Sequence, residues 1–351
     1  MKKYFYQLMT DSRRGWLDKV IQALLWVLSL GYCVIVDITR GLYHCRILPS
    51  YRAPKPVVSV GNITTGGVGK TPLVISLAKI LIAKGLKPVV LSRGYGADGF
   101  LGSFNDEAKM FKELLPQVLI MSGANRRQSI QQAMASEMVD VFLADDAFQH
   151  WPLKRDVDIV TIDAANPFGN GHLIPRGILR EKPAALGRAD IFVLTKTDEV
   201  ATTQELCSQL HTMNPKALIV HSRHAPIHFR DVLTGTTYHL SYLHNKKVIV
   251  FCAIADPAFF EHTLQKLGLQ VFKHFTFMDH HIYSEHDLKI IANQARSENI
   301  NILVTTHKDA VKINLFKNVL QGLAVFSLDI DLQILEGRNE LIDRIISLQS
   351  R

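Results

Sequence analysis

A glycine-rich turn that ends in a lysine and a threonine is the stretch of this sequence with the clearest chemistry. Residues 61–71 read Gly-Asn-Ile-Thr-Thr-Gly-Gly-Val-Gly-Lys-Thr and follow an apolar, β-branched run at residues 57–60. Pro72 then opens an apolar pattern of helical period, at a position where the missing N–H of proline costs nothing. Strand, glycine turn, Gly-Lys-Thr and helix together predict a phosphate-binding P-loop.

The P-loop prediction gives this turn a defined task. Backbone N–H groups of the loop and of the helix N-terminus converge on an anion. Lys70 would reach the β- and γ-phosphates, and the Thr71 hydroxyl would hold Mg²⁺. Thr64 stands where the consensus has its first glycine, so Gly66 and Gly67 are expected to supply the positive φ angles. The predicted nucleotide-binding residues are Thr64, Thr65, Gly66, Gly67, Val68, Gly69, Lys70 and Thr71.

Acidic residues after two other predicted elements could serve metal and proton chemistry. Asp145 and Asp146 follow an apolar strand, where a P-loop enzyme needs its second metal-binding element. Asp106 is predicted to lie with Glu107 on a loop at the same edge of the sheet, where a carboxylate can take a proton from an acceptor hydroxyl. The segment 279–281, Asp-His-His, is the best candidate for a partner of that carboxylate, because histidine titrates near neutrality.

Two further segments have features of binding loops. Residues 168–183 form a glycine- and proline-rich stretch that contains Arg176 and Arg180. It suits an anionic substrate, because guanidinium groups bind phosphate in a bidentate manner. Residues 195–198, Thr-Lys-Thr-Asp, imitate the guanine-reading signature of GTPases, but four residues after a strand are a weak signal.

The elements that must position these residues alternate between strand and helix. This alternation predicts a P-loop NTPase-type α/β fold with a doubly wound, mostly parallel sheet and functional loops at the carboxyl ends of the strands. Strands are predicted at residues 57–60, 87–92, 118–121, 139–144, 158–163, 191–195, 247–253 and 302–305. A β-hairpin around Thr234-Gly235 is expected to join this core to a smaller C-terminal α/β domain. The predicted segments are 1–56 (a membrane-associating helix region), 57–220 (the P-loop core), 221–246 (the hairpin linker), 247–330 (the C-terminal subdomain) and 331–351 (a helix packing back on the core).

The N-terminal region combines basic residues with an apolar stretch. Residues 20–36 are almost wholly apolar, and about 17 residues is the lower limit for spanning a bilayer. Basic residues flank both ends, and Trp16, Trp26, Tyr32 and Tyr43 accompany them, which favours a helix lying in the membrane interface. A buried core helix and a true membrane span are the alternatives. A secretory signal is not expected, since no small-residue cleavage site follows.

Composition agrees with an intracellular protein that meets a polyanion. The 351 residues suffice for a full α/β core and a smaller second unit. The chain has 40 Lys and Arg against 32 Asp and Glu, a formal charge of +8, which leaves nucleic acid, an anionic membrane or a phosphorylated substrate open as partners. The four cysteines form no CxxC pair, which indicates a reducing compartment without a disulfide or zinc framework.

Six motifs in sequence order closely resemble those of tetraacyldisaccharide 4′-kinase, the lipid A 4′-kinase family of Gram-negative bacteria. The resemblance covers most of the chain and is densest between residues 57 and 183. Three positions depart from the family pattern: Asn105 stands where glycine is usual, Ala108 where proline is usual and Ala147 where glycine is usual. The last requires only that residue 147 needs no positive φ. The motifs are Val60–Pro72, Leu-Ser-Arg-Gly-Tyr-Gly at 91–96, Asp-Asp-Ala-Phe-Gln-His at 145–150, residues 169–181, Asp-His-His at 279–281 and Thr-Thr-His-Lys-Asp at 305–309.

The resemblance implies a specific reaction. The family transfers the γ-phosphate of ATP to the 4′-hydroxyl of tetraacyldisaccharide 1-phosphate, which gives lipid IVA. It implies Asp106 as the catalytic residue that activates the hydroxyl, with His280 as its partner. The implied Mg²⁺ ligands are Thr71, Asp145, Asp146 and Glu181, and the implied substrate contacts are Arg93, Asn170, Arg176 and Arg180.

The expected location follows from the substrate. Each acyl CH₂ is worth ~0.8 kcal/mol when buried, so the enzyme must come to the membrane. We expect attachment to the cytoplasmic face of the inner membrane through the N-terminal helix, with the lipid A disaccharide 1-phosphate as partner, no nucleic acid and no obligate protein partner.

Two other classes of protein share parts of this pattern. A membrane-associated, dimerising ATPase of the MinD/ParA type has a very similar loop, but Thr65 stands where those proteins insert a lysine across the dimer. A GTP-dependent metallochaperone would use residues 195–198, but the Cys/His metal cluster it needs is missing from the sequence.

Overall fold

A computed structural model describes residues 2–13, 15–92, 106–136, 138–279, 281–313, 316 and 318–350. The chain forms two compact units. Unit 1 consists of Met1–Gly102, Leu114–His224 and Leu332–Arg351, and unit 2 consists of Ser103–Glu113 and Ala225–Asp331. The five-segment division made from the sequence stays a prediction.

The described helices and strands alternate for most of the chain. The helices are α1 Lys2–Met9, α2 Trp16–His44, α3 Lys70–Ala83, α4 Asp106–Leu114, α5 Arg126–Ser136, α6 Gln204–Met213, α7 Pro257–Lys266, α8 Glu285–Ser297, α9 His307–Ile313 and α10 Arg338–Ile346. The strands are β1 Val57–Gly61, β2 Pro88–Ser92, β3 Leu119–Ser122, β4 Val141–Asp145, β5 Val157–Asp163, β6 Ile191–Thr195, β7 Leu218–Asp231, β8 Thr237–Tyr238, β9 Lys247–Cys252, β10 Gln270–Thr276, β11 Ile302–Thr306 and β12 Ala324–Glu336.

The sheet of unit 1 places the glycine-rich turn at its centre. Its strand order is β7-β6-β5-β1-β4-β2-β3, and these neighbours pair in parallel. Every residue of β1 is buried, as expected for an inner strand covered on both faces. Two apolar clusters, one around Phe148 and Phe192 and one around Phe142 and Ile130, form the core of this unit. The predicted α/β, doubly wound, mostly parallel fold is confirmed.

Unit 2 contains a second, smaller α/β arrangement. Its strand order is β10-β9-β11-β12-β7, and β8 pairs antiparallel with β7 through Phe229↔Tyr238. The hairpin turn at Thr234-Gly235 forms as predicted, with Gly235 at φ +76°. The second strand of this hairpin is shorter than the predicted 236–243, because a 3₁₀ turn, Leu240–Leu243, follows directly.

Two predicted boundaries are wrong. The last helix was expected to begin near residue 334, but β12 continues to Glu336, and Gly337 at φ +78° separates it from α10. Asp106 and Glu107 were expected on a loop, whereas they are the first two residues of α4. In both places a local polar–apolar pattern fits either element, so periodicity cannot decide between them.

Candidate functional site

The turn between β1 and α3 has the backbone of an anion-binding loop. Gly66 has φ +127°, and Gly69, the residue before α3, has φ +83°. A Cβ at Gly69 would lie 2.7 Å from Nε2 of His224, so the loop requires glycine there for space as well as for conformation. The expectation for Gly66 is confirmed. The expectation for Gly67 is wrong, because the second left-handed position is Gly69, the residue directly before the helix.

Neighbouring segments hold this loop in place. The Thr65 N–H donates to the Ile178 carbonyl at 2.6 Å, and the Arg180 N–H donates to the Ile63 carbonyl at 2.7 Å. The buried hydroxyl of Thr195 donates to the Val68 carbonyl at 3.3 Å. The loop at 168–183 therefore lies along the glycine turn, and Thr195, part of the guanine-like signature, supports the P-loop backbone.

Lys70 directs its ammonium group toward two oxygen-bearing side chains. Its Nζ donates to Asn62 Oδ1 at 2.9 Å and lies 3.4 Å from Asp146 Oδ1. The Asn62 amide is fully buried, and its Nδ2 donates to the Thr64 carbonyl at 2.6 Å. Sequence reasoning gave Asn62 no role. The only signal was a polar side chain at the end of a buried strand, where burial demands a partner.

Asp146 forms an ion pair with this lysine. Its backbone is left-handed, at φ +48°, and Arg180 NH1 donates to both of its oxygens at 2.8 and 2.9 Å. Burial alone would raise the pKa of Asp146, but the charges of Lys70 and Arg180 outweigh it and lower the pKa below its usual value. Ala147 is not among the positive-φ residues, as its side chain requires. The left-handed backbone conformation of this turn is therefore adopted by Asp146 and not by Ala147. The lowered pKa keeps the Asp146 carboxylate ionised.

The other two predicted metal ligands differ in their surroundings. Asp145 lies at the end of β4, as predicted. It is buried, and Arg126 NH2 donates to its carbonyl. Both oxygens of Glu181 accept from Arg188, at 2.6 and 2.9 Å, and this guanidinium lies 3.6 Å above the ring of Phe148. The buried Glu181 thus neutralises a partly buried cation. Among the residues described, no three His, Cys, Asp or Glu side chains are grouped to hold a metal ion.

Two predicted substrate residues contact the N-terminal segment. Asn170 Nδ2 donates to the Met9 carbonyl at 2.9 Å and to Asp11 Oδ2 at 3.0 Å. Arg176 NH2 donates to Asp11 Oδ1 at 2.8 Å. Burial alone would raise the pKa of Asp11, but these two donors lower it. Asn170 and Arg176 therefore attach the link between α1 and α2 to the core.

The acceptor side of the predicted site is described only in part. Arg93 and His280 lie outside the described residues, and for Asp106 the structure describes the backbone at the start of α4. The neighbours of His280 have partners: Lys308 Nζ donates to Asp279 Oδ1 at 2.9 Å, and His281 Nε2 lies 3.0 Å from Asp287 Oδ2.

The residues of unit 1 fit the phosphates of a nucleoside triphosphate. Two left-handed glycines, the N-terminus of α3 and the Lys70 ammonium converge as a phosphate cradle requires. Thr71, the second residue of α3, is only partly buried, as a hydroxyl that binds a metal must be. This arrangement can bind phosphates and stabilise charge on a transferred phosphoryl group.

Known proteins with the same sequence pattern and fold carry the same description. The family model "Tetraacyldisaccharide-1-P 4'-kinase" matches residues 21–347. The chain is 35% identical over 341 residues to a tetraacyldisaccharide 4'-kinase of Halothermothrix orenii, covering 90% of this chain and 88% of that protein. Against the one from Bdellovibrio bacteriovorus it is 32% identical over 339 residues, covering 93% and 100%. The crystal structure of LpxK from Aquifex aeolicus in complex with ATP has a TM-score of 0.73 and 26% identity, covering 93% of this chain and 99% of that chain.

Proposed function

The chain belongs to the tetraacyldisaccharide-1-P 4'-kinase family, and on this premise we propose how its residues transfer a phosphoryl group from ATP to the 4′-hydroxyl of tetraacyldisaccharide 1-phosphate. It is a P-loop kinase of lipid A biosynthesis. The observation that carries the assignment is the position of Lys70, whose ammonium lies between Asn62 and Asp146 at the end of a glycine turn. An ammonium held there is ready to exchange these contacts for phosphate oxygens.

The nucleotide side of the reaction is assigned to unit 1. Residues 64–71 bind the phosphates of ATP through backbone N–H groups and Lys70. Thr71, Asp145 and Asp146 would hold Mg²⁺, which would supply positive charge for the phosphate oxygens. Few protein ligands are needed, because Mg²⁺ in such sites keeps waters and phosphate oxygens as its other ligands. We assign Glu181 to the support of Arg188, since both of its oxygens already accept from that guanidinium.

The acceptor side is assigned to Asp106 and His280. Asp106 accepts the proton of the 4′-hydroxyl as that oxygen attacks the γ-phosphorus, and His280 orients the carboxylate. His281 is the less suitable partner, because Asp287 already engages its Nε2 at 3.0 Å. Arg93 and Arg180 supply positive charge for the anionic sugar, whereas Asn170 and Arg176 act indirectly, through the N-terminal segment that they anchor.

Membrane attachment through α2 completes the proposal. This helix has 29 residues, a mean hydropathy of 2.0 over its most apolar window and only 11% of that window buried. One stripe faces the core: Leu25 and Ser29 are buried, and the Tyr32 hydroxyl donates to the Arg180 carbonyl at 3.0 Å. A helix that docks on its own unit along its length favours the membrane interface over a span. We therefore assign the protein to the cytoplasmic face of the inner membrane as a monotopic enzyme.

A pair of measurements tests this proposal. Purified enzyme is given Mg²⁺, ATP and tetraacyldisaccharide 1-phosphate in detergent, and ADP release is followed with and without the lipid. We expect release that depends on both lipid and Mg²⁺. The variant Asp106→Asn should lose about 10²- to 10⁴-fold in kcat and keep its affinity for ATP. Lipid-independent release at an undiminished rate refutes the kinase assignment, and a parallel loss of ATP affinity makes Asp106 a nucleotide ligand.

A further inference from the structure

A motif at the end of β11 touches the two segments to which the proposed function assigns the acceptor chemistry. Residues 305–309, Thr-Thr-His-Lys-Asp, run from the buried end of β11 into α9. We propose that His307 and Lys308 are positioning residues: His307 fixes α4, which begins with Asp106, and Lys308 fixes the segment that contains His280. This inference rests on the proposed roles of Asp106 and His280.

His307 is the centre of a charged network in unit 2, in which the imidazole and Asp329 are buried and the Glu113 carboxylate is exposed. Its Nδ1 lies 2.9 Å from Asp329 Oδ1, and its Nε2 forms an ion-pair contact of 3.2 Å with Glu113 Oε2 on α4. Asp329 also accepts from Arg230 at 2.7 Å and lies 2.9 Å from His228 Nε2. The imidazole therefore has a carboxylate near each ring nitrogen, which favours its charged form and connects β12 to α4 through one hydrogen bond and one ion pair.

The helical spacing of Asp106 and Glu113 on α4 means that the contact between His307 and Glu113 also constrains position 106. Glu113 follows Asp106 by seven residues, and seven residues at 100° each end about 20° short of two full turns. The two positions consequently share one face of the helix. A contact that fixes the rotation of α4 at Glu113 also fixes the direction in which position 106 leaves the helix axis.

Lys308 provides the second contact. Its Nζ donates to Asp279 Oδ1 at 2.9 Å, directly before His280 in the chain. Asp309, which is fully buried, anchors the motif to the core of unit 2. Its Oδ2 accepts from the Ala253 N–H and from the Thr306 hydroxyl, both at 2.8 Å. Two adjacent side chains of one rigid turn thus contact the two segments that must cooperate in proton transfer.

This arrangement explains why the motif requires these residue types. A protonated histidine carries an N–H on each of its two ring nitrogens, so it can face two carboxylates on different elements at once. A lysine reaches a neighbouring loop with a flexible stem and a point charge. Small displacements of a catalytic group by a distant change can cost on the order of 10²-fold in rate, so contacts of this kind are expected to matter in kcat.

The test uses full-length variants that remove one contact and retain side-chain size. Glu113→Gln removes the carboxylate that His307 contacts, and Lys308→Met removes the ammonium that contacts Asp279. Glu261→Gln is the matched control for the first, because it removes another Glu–His contact of unit 2, His274 Nδ1 to Glu261 Oε2 at 2.8 Å. Lys289→Met is the control for the second, because Lys289 pairs with Glu285 on α8.

Lipid phosphorylation and amide hydrogen exchange are measured for each variant. We expect Glu113→Gln and Lys308→Met to lower kcat about tenfold or more and to leave the KM for ATP within about twofold. Amides of α4 should exchange faster in Glu113→Gln only. Both controls should keep kcat within about twofold of the wild type.

The possible outcomes distinguish a failure of this inference from a failure of the proposed kinase function. A wild-type enzyme that phosphorylates no lipid contradicts the proposed function and removes the basis of the inference with it. An active wild type whose Glu113→Gln and Lys308→Met variants keep their kcat, or lose it no more than the controls do, overturns the inference alone. Equal loss of kcat and of ATP binding also overturns it, since a positioning residue on the acceptor side leaves ATP binding unchanged.

Discussion

Lys70 illustrates at the scale of one residue how this site is prepared for a phosphate. Its ammonium donates a hydrogen bond to the side-chain oxygen of Asn62 and forms an ion pair with Asp146. Asp146 also accepts a hydrogen bond from Arg180. Two cations therefore surround one carboxylate, which leaves net positive charge where a polyphosphate would bind. A triphosphate with Mg²⁺ can replace these contacts without leaving a charge unpaired.

Removal of the Lys70 charge should abolish most of the transfer rate. We expect Lys70→Met to lower kcat/KM on the order of 10²- to 10³-fold, because it deletes a preorganised cation from the phosphoryl-transfer site. Lys79→Met on the exposed face of the same helix serves as the control and should stay near wild type. Steady-state phosphorylation kinetics provide the measurement, and equal effects of the two substitutions would exclude a catalytic role for Lys70.

At this scale the sequence predicts candidate site residues from local patterns but misses the side chains that contact them. Lys70, Asp145 and Asp146 could be proposed because a P-loop and an acidic strand end are local patterns. Asn62 and Arg188 were missed because their importance comes from contacts with Lys70 and Glu181, which are not neighbours in sequence. The same holds for the contact of Arg176 with Asp11, which the residue type alone does not reveal; its predicted role toward substrate stays a prediction.

The P-loop, at the scale of one element, depends on Gly69, the residue directly before α3. Ala at Gly69 must adopt φ +83° and place its Cβ 2.7 Å from His224, whereas Ala at Gly85 must adopt φ +80° with no atom within 4 Å. The left-handed conformation alone costs roughly 1–2 kcal/mol per alanine. We expect Gly69→Ala to lower the melting temperature more than Gly85→Ala does and to abolish ATP binding. Equal melting temperatures and intact ATP binding would contradict this account of the loop.

The α2 helix makes a second prediction at this scale. Leu24 and Leu28, one turn apart, are 62% and 60% exposed, although both are large apolar side chains. The double variant Leu24→Gln/Leu28→Gln should weaken binding to anionic vesicles by about tenfold or more, since burial of each leucine is worth about 1.5–3 kcal/mol. Thermal stability should hardly change. Met138→Gln, at an apolar residue 75% exposed elsewhere in unit 1, is the control in a vesicle sedimentation assay.

Elements with one strong period were predictable, and elements with mixed patterns were not. The inner strands, such as β6 at Ile191–Thr195, agree with the predicted bounds because every residue is apolar or β-branched. The apolar stretch 20–36 lies within the longer α2, whose ends at Trp16 and His44 are polar turns that hydropathy alone does not reveal. The start of α10 depends on the positive φ of Gly337, which a sequence does not display.

For the molecule as a whole, stability should depend on pH through the charged network of unit 2. Burial alone would lower the pKa of His307, but Asp329 and Glu113 raise it to about 9. In the unfolded chain a histidine titrates near 6.5. The stabilisation is therefore complete below about pH 6.5 and is lost as the pH rises through about 9. Burial alone would raise the pKa of Asp329, but His307 and Arg230 lower it to about 2, so its contribution is present above about pH 4 and fades as the pH falls through about 2.

This linkage can be measured as the change of melting temperature between pH 7 and pH 10. The wild-type protein should lose stability over this interval, and His307→Gln should start less stable and lose less. His274→Gln, at the other His–Glu contact of unit 2, is the control and should retain the wild-type loss. A His307→Gln protein with the same alkaline loss as the wild type would show that another group is responsible.

The central claim, that Lys70 and its loop direct the γ-phosphate of ATP to a lipid sugar, is tested most directly by following that phosphate. Enzyme, Mg²⁺, ATP labelled at the γ-position and tetraacyldisaccharide 1-phosphate in detergent micelles are incubated, and the lipid product is isolated and its phosphorylation site identified. The account predicts label on the 4′-hydroxyl with wild-type and Lys79→Met enzyme, and almost none with Lys70→Met. Label that appears only as free phosphate, at the same rate with or without the lipid, would contradict it.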